Sequence, residues 1–226
     1  MKKNKLLGYL LLTTLFTASC SEKENELPSP RIPNQIDTTQ IDTTKMFVTI
    51  GDQTWSTLNL NVDTFKNGDP IPKATTKSEW QTKSSNGPVW CYYNFDESNA
   101  KYGKIYNWFA VEDPRGLVPD GYHIPKWEEF EKLATNLGNE LVGEKMKSKY
   151  DWSDNSTNES GFSALPGGFC DNRGNMFRMD TSGYWWTTTK KDSYNSYSLM
   201  LSRYQSSQAK SPLSKGAGAY IRFTNN

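Results

Sequence analysis

The 226-residue chain has one histidine, His123, and three cysteines, Cys20, Cys91 and Cys170. A single imidazole offers neither a His-based metal cluster nor a Ser–His relay. Its expected role, just ahead of a helix, is structural, with the ring bonded to backbone. Asp151, Asp154, Asn155, Asn158 and Glu159 form an oxygen-rich stretch of the kind that calcium, a hard cation, requires. Their spacing fits no EF-hand, and Asx-turns in a polar loop are the expected reading. No nucleophile–base pair, phosphate loop or carboxylate dyad stands out. No catalytic residue, metal or cofactor is therefore expected.

The chemistry that remains is recognition. Trp185 and Trp186 are adjacent, so in a strand they point to opposite faces. One of them, taken as Trp186, is a candidate for stacking on a sugar ring. Residues 190–215 carry Tyr194, Asn195, Tyr204, Gln205, Ser206 and Gln208. That mixture of rigid rings and adaptable hydrogen-bonding groups suits a glycan and also a protein partner.

The elements that position these residues follow from periodicity. Trp127, Phe130, Leu133, Ala134 and Leu137 recur at helical spacing, with Glu128, Glu129, Glu131 and Lys132 on other faces. Pro125 suits a helix start and Gly138 a left-handed stop, whereas Lys126 is a poor N-cap. Residues 46–50, 55–62, 89–94, 162–169, 184–189 and 219–223 read as extended pieces, and 66–81, broken by Pro70 and Pro72, as loop. Residues 105–111 are ambiguous between strand and helix. In 196–204, Tyr197, Leu199 and Leu201 alternate with Ser196, Ser198, Met200 and Ser202, the pattern of a half-buried antiparallel strand. The expected class is α+β, with one or two helices and short antiparallel strands.

The N-terminus gives an address. Lys2, Lys3 and Lys5 precede an apolar run from Leu6 to Ala18 that is too short to span a bilayer. Residues 1–19 are the expected signal peptide. Thr17-Ala18-Ser19 ahead of Cys20 resembles the lipobox of bacterial lipoproteins, in which the cysteine is lipidated and becomes the first mature residue. Residues 20–45 are the expected lipid-anchored tether, too poor in apolar surface to offset the entropy of ordering. Its early acids, Glu22, Glu24 and Glu26, resemble the surface-export signal of some Gram-negative lipoproteins, and the repeated Asp-Thr-Thr resembles an O-glycosylation acceptor. The outer membrane, facing outward, is the expected location, and Cys20 the membrane contact.

The globular part, residues 46–226, is long enough for one domain with a real core. The formal net charge is +1. The signal removes three lysines and the 21–45 stretch has two more acids than bases, which leaves 46–226 neutral. A neutral surface of mixed sign excludes nucleic acid and anionic lipid as electrostatic partners. Cys91 and Cys170 are open between a disulfide and a pair of buried thiols.

Several motifs then occur in a fixed order: VTIGDQTW, YGKIYNWFAV, PDGYHIPKWEEF, TNESGFSALPGGF, GYWWTTT and GAYIRF. Together they resemble the FISUMP, or major paralogous, domain of bacterial surface lipoproteins across essentially all of 46–226. The resemblance implies a C-type-lectin-like domain, related in fold to formylglycine-generating enzymes, with recognition in the late loops, residues 171–184 and 190–215, the second of which holds Tyr194 and Tyr204. Departures are informative. The family usually carries cysteine where this chain has Val118 and Phe223, and tryptophan at Tyr122 and Phe130. The paired calcium motifs of sugar-binding C-type lectins are missing. A non-catalytic, lectin-like binding or adhesion module for a glycan or a surface protein is the expected function. A structural adhesion or filament subunit is the alternative, and a relative of the formylglycine enzymes a weaker one.

Overall fold

The computed structural model describes residues 46–152 and 155–225. The expectations for the signal, Cys20, the tether and Asp154 lie outside the described residues. In chain order the elements are β1 (Phe47–Ile50), β2 (Gln53–Ser56), α1 (Lys77–Ser84), β3 (Trp90–Cys91), β4 (Ile105–Asn107), α2 (Trp108–Val111), β5 (Tyr122–His123), α3 (Trp127–Asn136) and α4 (Val142–Met146). They continue with β6 (Gly167–Cys170), β7 (Met176–Met179), β8 (Ser182–Lys190), β9 (Asn195–Ser202), β10 (Ala209–Ser214), β11 (Gly218–Ala219) and β12 (Thr224–Asn225). The class is α+β. None of these helices is long and apolar enough to cross a membrane.

The strands form two sheets. The smaller has the order β1-β2-β12-β5 and is antiparallel throughout. The larger runs β10-β9-β8-β6-β11-β4-β3, with β7 paired to β6. Its one parallel pairing between strands joins Gly168 of β6 to Gly183 of β8.

Helix α3 follows its apolar stripe: Trp127, Phe130, Leu133 and Ala134 are buried. Its ends explain why a poor N-cap is tolerated. Lys126 has no side-chain acceptor, so the first-turn amides are served from elsewhere. Thr189 Oγ1, on β8, accepts from Trp127 N at 2.9 Å, and Glu129 Oε2 accepts from Lys126 N at 2.8 Å. At the other end Gly138, at φ +86°, closes a Schellman turn in which Asn139 N donates to Ala134 O at 3.0 Å.

Several expectations are corrected. Residues 77–81, read as loop, lie in α1, and the α-helices number four among the described residues, with two short 3-10 helices at Tyr93–Phe95 and Glu97–Tyr102. Only Trp80 and Ser84 of α1 are buried, so no stripe announces it. The informative signal was the cap, in which Thr76 Oγ1 accepts from Glu79 N at 3.2 Å. Residues 105–111 are strand and then helix, divided at Asn107, whose Oδ1 accepts from Val89 N at 3.0 Å and Ala110 N at 3.3 Å. The extended pieces at 55–62, 89–94, 162–169 and 219–223 shrink to short pairings within β2, β3, β6 and β11.

Strand β9 is not half-buried: Ser196 and Ser198 are as enclosed as Leu199 and Leu201. The larger sheet is covered on both faces, with one core on each side. On one side Leu199, Leu201 and Trp185 meet Phe130 and Leu133 of α3. On the other, Trp186 meets Tyr106, Trp108, Leu117, Ile124 and Ile221.

Candidate functional site

The expected contacts do not assemble into one site. Trp186 is 0 % exposed, and its Nε1 donates to Tyr106 O at 2.8 Å, so it has no face to offer a sugar. Alternation along β8 does send the two tryptophans to opposite faces, but both faces are covered. Tyr194 and Tyr204 are 81 % and 70 % exposed. They flank β9, one in the turn before it and one after it, and eight residues of strand separate them by roughly 25 Å. No small ligand reaches both.

The other singled-out residues are structural in their contacts. His123 Nε2 lies 2.7 Å from Glu129 Oε1, so the ring engages a carboxylate at the start of α3. Asp151 Oδ2 accepts from Ser148 Oγ at 2.7 Å. Asn158 Oδ1 accepts from Ser163 N at 2.9 Å, an inward use of the polar loop. No group of three or more metal-ligating side chains occurs among the described residues. Cys91 and Cys170 are free, buried thiols, and burial pushes the Cys91 thiol well up.

A concave surface does assemble, beside the smaller sheet. On that side Phe47, Tyr122 and Phe223 form an aromatic trio. Phe47 stacks on Tyr122 at 5.1 Å between centroids, and Phe223 sits edge-on to Phe47 at 6.0 Å and to Tyr122 at 5.6 Å. Three adjoining compartments run past it. The first, of 740 Å³, is walled by Val111, Leu117, Val118, Tyr122, His123 and Glu129, among others. The second, of 590 Å³, shares Lys66, Leu117 and Val118 with the first and adds Phe47, Leu58 and Phe223. The third, of 370 Å³, shares Leu58, Asn59 and Asn61 with the second and has Arg222 on its wall. Val118 and Phe223 both line the second compartment.

The walls are held by polar contacts. Arg115 grips Asp113 through two bonds of 2.8 Å, reaches Asp69 at 3.0 Å, and lies 3.9 Å from the Phe65 ring centroid. It thereby fixes the segment that carries Leu117 and Val118. Lys66 pairs with Asp120, whose carboxyl is held below its ordinary value chiefly by that hydrogen bond. Lys104 is buried against the Trp90 ring at 4.1 Å; burial pushes its ammonium pKa down, and Asp63 at 3.6 Å opposes that shift.

At the far end stands the most enclosed charge. Arg222 is 1 % exposed and donates to Asn59 Oδ1, Ser56 O, Phe162 O and Ser163 O at 2.6–3.0 Å. Asn59 also accepts from Trp185 Nε1 at 2.7 Å and donates to Tyr102 O at 2.7 Å. Burial pushes the guanidinium pKa down to about 9, which leaves it charged at neutral pH.

Sequence reasoning missed this surface because its walls come from residues 47, 58–66, 111–124 and 223, which no local pattern joins. The available signal was the trio's chemistry: three aromatic rings, two of them, Phe47 and Phe223, in short extended pieces. No curated protein and no solved structure matches the chain. Residues 48–224 match the Fibrobacter succinogenes major domain. That span covers nearly all of the two-sheet domain described above, and the chain belongs to this family, the FISUMP or major paralogous domain.

Proposed function

We propose that this chain is a non-catalytic recognition module of C-type-lectin-like type. It is carried on the outer membrane by a lipid on Cys20, faces the cell exterior, and binds a glycan chain along the three compartments. The observation that carries this reading is their arrangement in series, 740, 590 and 370 Å³, with shared walls. A linear polymer of rings asks for subsites in a row, each with an apolar face and a polar rim. The trio and Leu58 supply faces, while Asn61, Thr64 and Lys66 supply rim groups. Tyr194 and Tyr204, at the two ends of β9, suit contacts to a larger partner and not to the same ring. A neutral domain leaves steering by charge a minor effect, so affinity has to come from these short-range contacts.

The test is a glycan array probed with the full chain in detergent, with and without calcium. Leu58 is 60 % exposed and borders the second and third compartments, so Leu58→Asp is expected to abolish array binding while leaving the melting temperature nearly unchanged. Binding that survives Leu58→Asp but falls with Tyr194→Ala or Tyr204→Ala would move the site to the ends of β9. Cys20→Ser is expected to release the protein from the membrane fraction. An unlipidated mature start in the wild type, read by intact mass, would overturn the anchor.

A further inference from the structure

Arg222 has no carboxylate partner among the described residues. Its four hydrogen bonds all go to neutral oxygens and use four of the five guanidinium N–H groups; the second Nη2 hydrogen makes no bond to the described protein. A buried charge satisfied by carbonyl dipoles keeps its shape but retains its field, and a charge without a counter-ion favours an anion beside it. Arg222 forms part of the wall of the third compartment, the most polar of the three in its residues. Lys101 stands on the same wall and adds a second cation. Among the lining residues Asp151 is the one opposing charge, and its carboxylate accepts from Ser148 Oγ at 2.7 Å; Asp180, outside the lining, also acts on Lys101, so the wall itself holds two cations and one anion. Asn61 presents an exposed amide with no partner among the described residues, and Leu58 an apolar face.

From this geometry we infer that the third compartment is a carboxylate subsite, so that the glycan bound along the track carries an acidic sugar, a uronate or similar carboxylated ring, at that end. The inference rests on the glycan reading for its polymer and on Arg222 and Lys101 for its charge. A carboxylate there pairs directly with the exposed Lys101 and sits in the field of the buried Arg222 charge behind the wall, while Asn61 reads neighbouring hydroxyls.

The experiment titrates the full chain in detergent, labelled at the indole nitrogens, with glucuronate and with glucose. Trp185 Nε1 is the reporter, because it shares the Asn59 Oδ1 acceptor with Arg222 Nε. The expected result is a saturable shift of the Trp185 indole with glucuronate, weakened by salt, and an affinity for glucose about tenfold lower or less. Lys101→Glu, at an exposed position, is expected to cut glucuronate affinity by about tenfold or more without changing the melting temperature. Equal affinities for the two sugars, or indifference to Lys101→Glu, would overturn the carboxylate subsite. If array glycans bind in a Leu58-dependent way while glucuronate shows no preference, the track stands and the subsite falls. If no glycan binds but glucuronate shifts Trp185, the subsite stands and the polymer reading falls.

Discussion

The two sides of the larger sheet bury similar kinds of side chain and differ in how they are built. On the α3 side a single helix lays Trp127, Phe130, Leu133 and Ala134 against β8 and β9, and the Trp55 and Phe162 rings complete the layer at 4.9 Å from Phe130 and 6.4 Å from Trp185. On the other side no long element covers the sheet. Trp186 and Tyr106 are enclosed by a one-turn helix and by loops that supply Leu60, Phe65, Leu117, Val118 and Ile124. A helix closes over its own stripe and leaves no gap, whereas loops held by point contacts leave clefts between them. The first two compartments open on the loop-built side, and that is where recognition is proposed.

The largest expected effect lies where the two sides meet. Arg222→Ala leaves Ser56 O, Phe162 O, Ser163 O and part of Asn59 without their donor, the first two in fully buried bonds and the others in partly buried ones. It is expected to cost about 3–5 kcal/mol in urea unfolding. A loss below about 1 kcal/mol would mean that water replaces the guanidinium and that the two sides are not pinned through it.

Next comes a direct contrast between the sides. Phe130→Ala and Leu133→Ala, in the helix-built core, are each expected to cost about 2–5 kcal/mol, and Glu131→Ala on the outer face to stay within about ±0.5 kcal/mol. Leu117→Ala, in the loop-built wall, is expected near the bottom of that range, about 2 kcal/mol, because a cleft wall relaxes into the space it leaves. It should also lower ligand affinity, which Leu133→Ala should not. Equal stability costs and equal effects on binding at Leu117 and Leu133 would erase the contrast.

The same contrast explains what the sequence made legible. The α3 stripe, its Gly138 stop and the ordered family motifs are local patterns, and local patterns survive folding when one element dictates the packing. The strand phase at Trp185-Trp186 was legible too, but the cover on the second face was not. That cover comes from pieces far apart in sequence, as in the Leu60 N to Ile221 O bond of 2.9 Å. Helix α1 escaped notice because its face buries little, although its Thr76–Glu79 cap was in view. The candidate site was illegible for the reason the loop side was: Phe47, Tyr122 and Phe223 have no spacing in sequence that brings three rings together. Arg222 stood in a recognised motif, yet its burial follows only from the carbonyls that surround it.

The smallest expected effect tests the point contacts themselves. Asp113 is held by the Arg115 fork, whose hydrogen bonds are the leading cause of a carboxyl pKa below its ordinary value of 3.8. For a carboxyl depressed in the folded state, the stability it contributes is complete above that ordinary value. It is lost as pH falls through the lower, folded value. Asp113→Asn should therefore be less stable than the wild type at neutral pH by at most about 1 kcal/mol, since Arg115 is partly exposed. The deficit should vanish in acid, where the wild-type carboxyl is protonated as well. Because Arg115 also braces Asp69 and the Phe65 ring, its loosening should be felt in the cleft before it is felt in α3. Urea unfolding of both proteins from neutral pH into the acid range reads the first effect, and Trp186 against Trp185 indole exchange reads the second. A deficit that persists unchanged in acid would show that the fork acts through packing alone. Equal acid sensitivity of both indoles would show that the loop-built side is as firmly closed as the helix-built one.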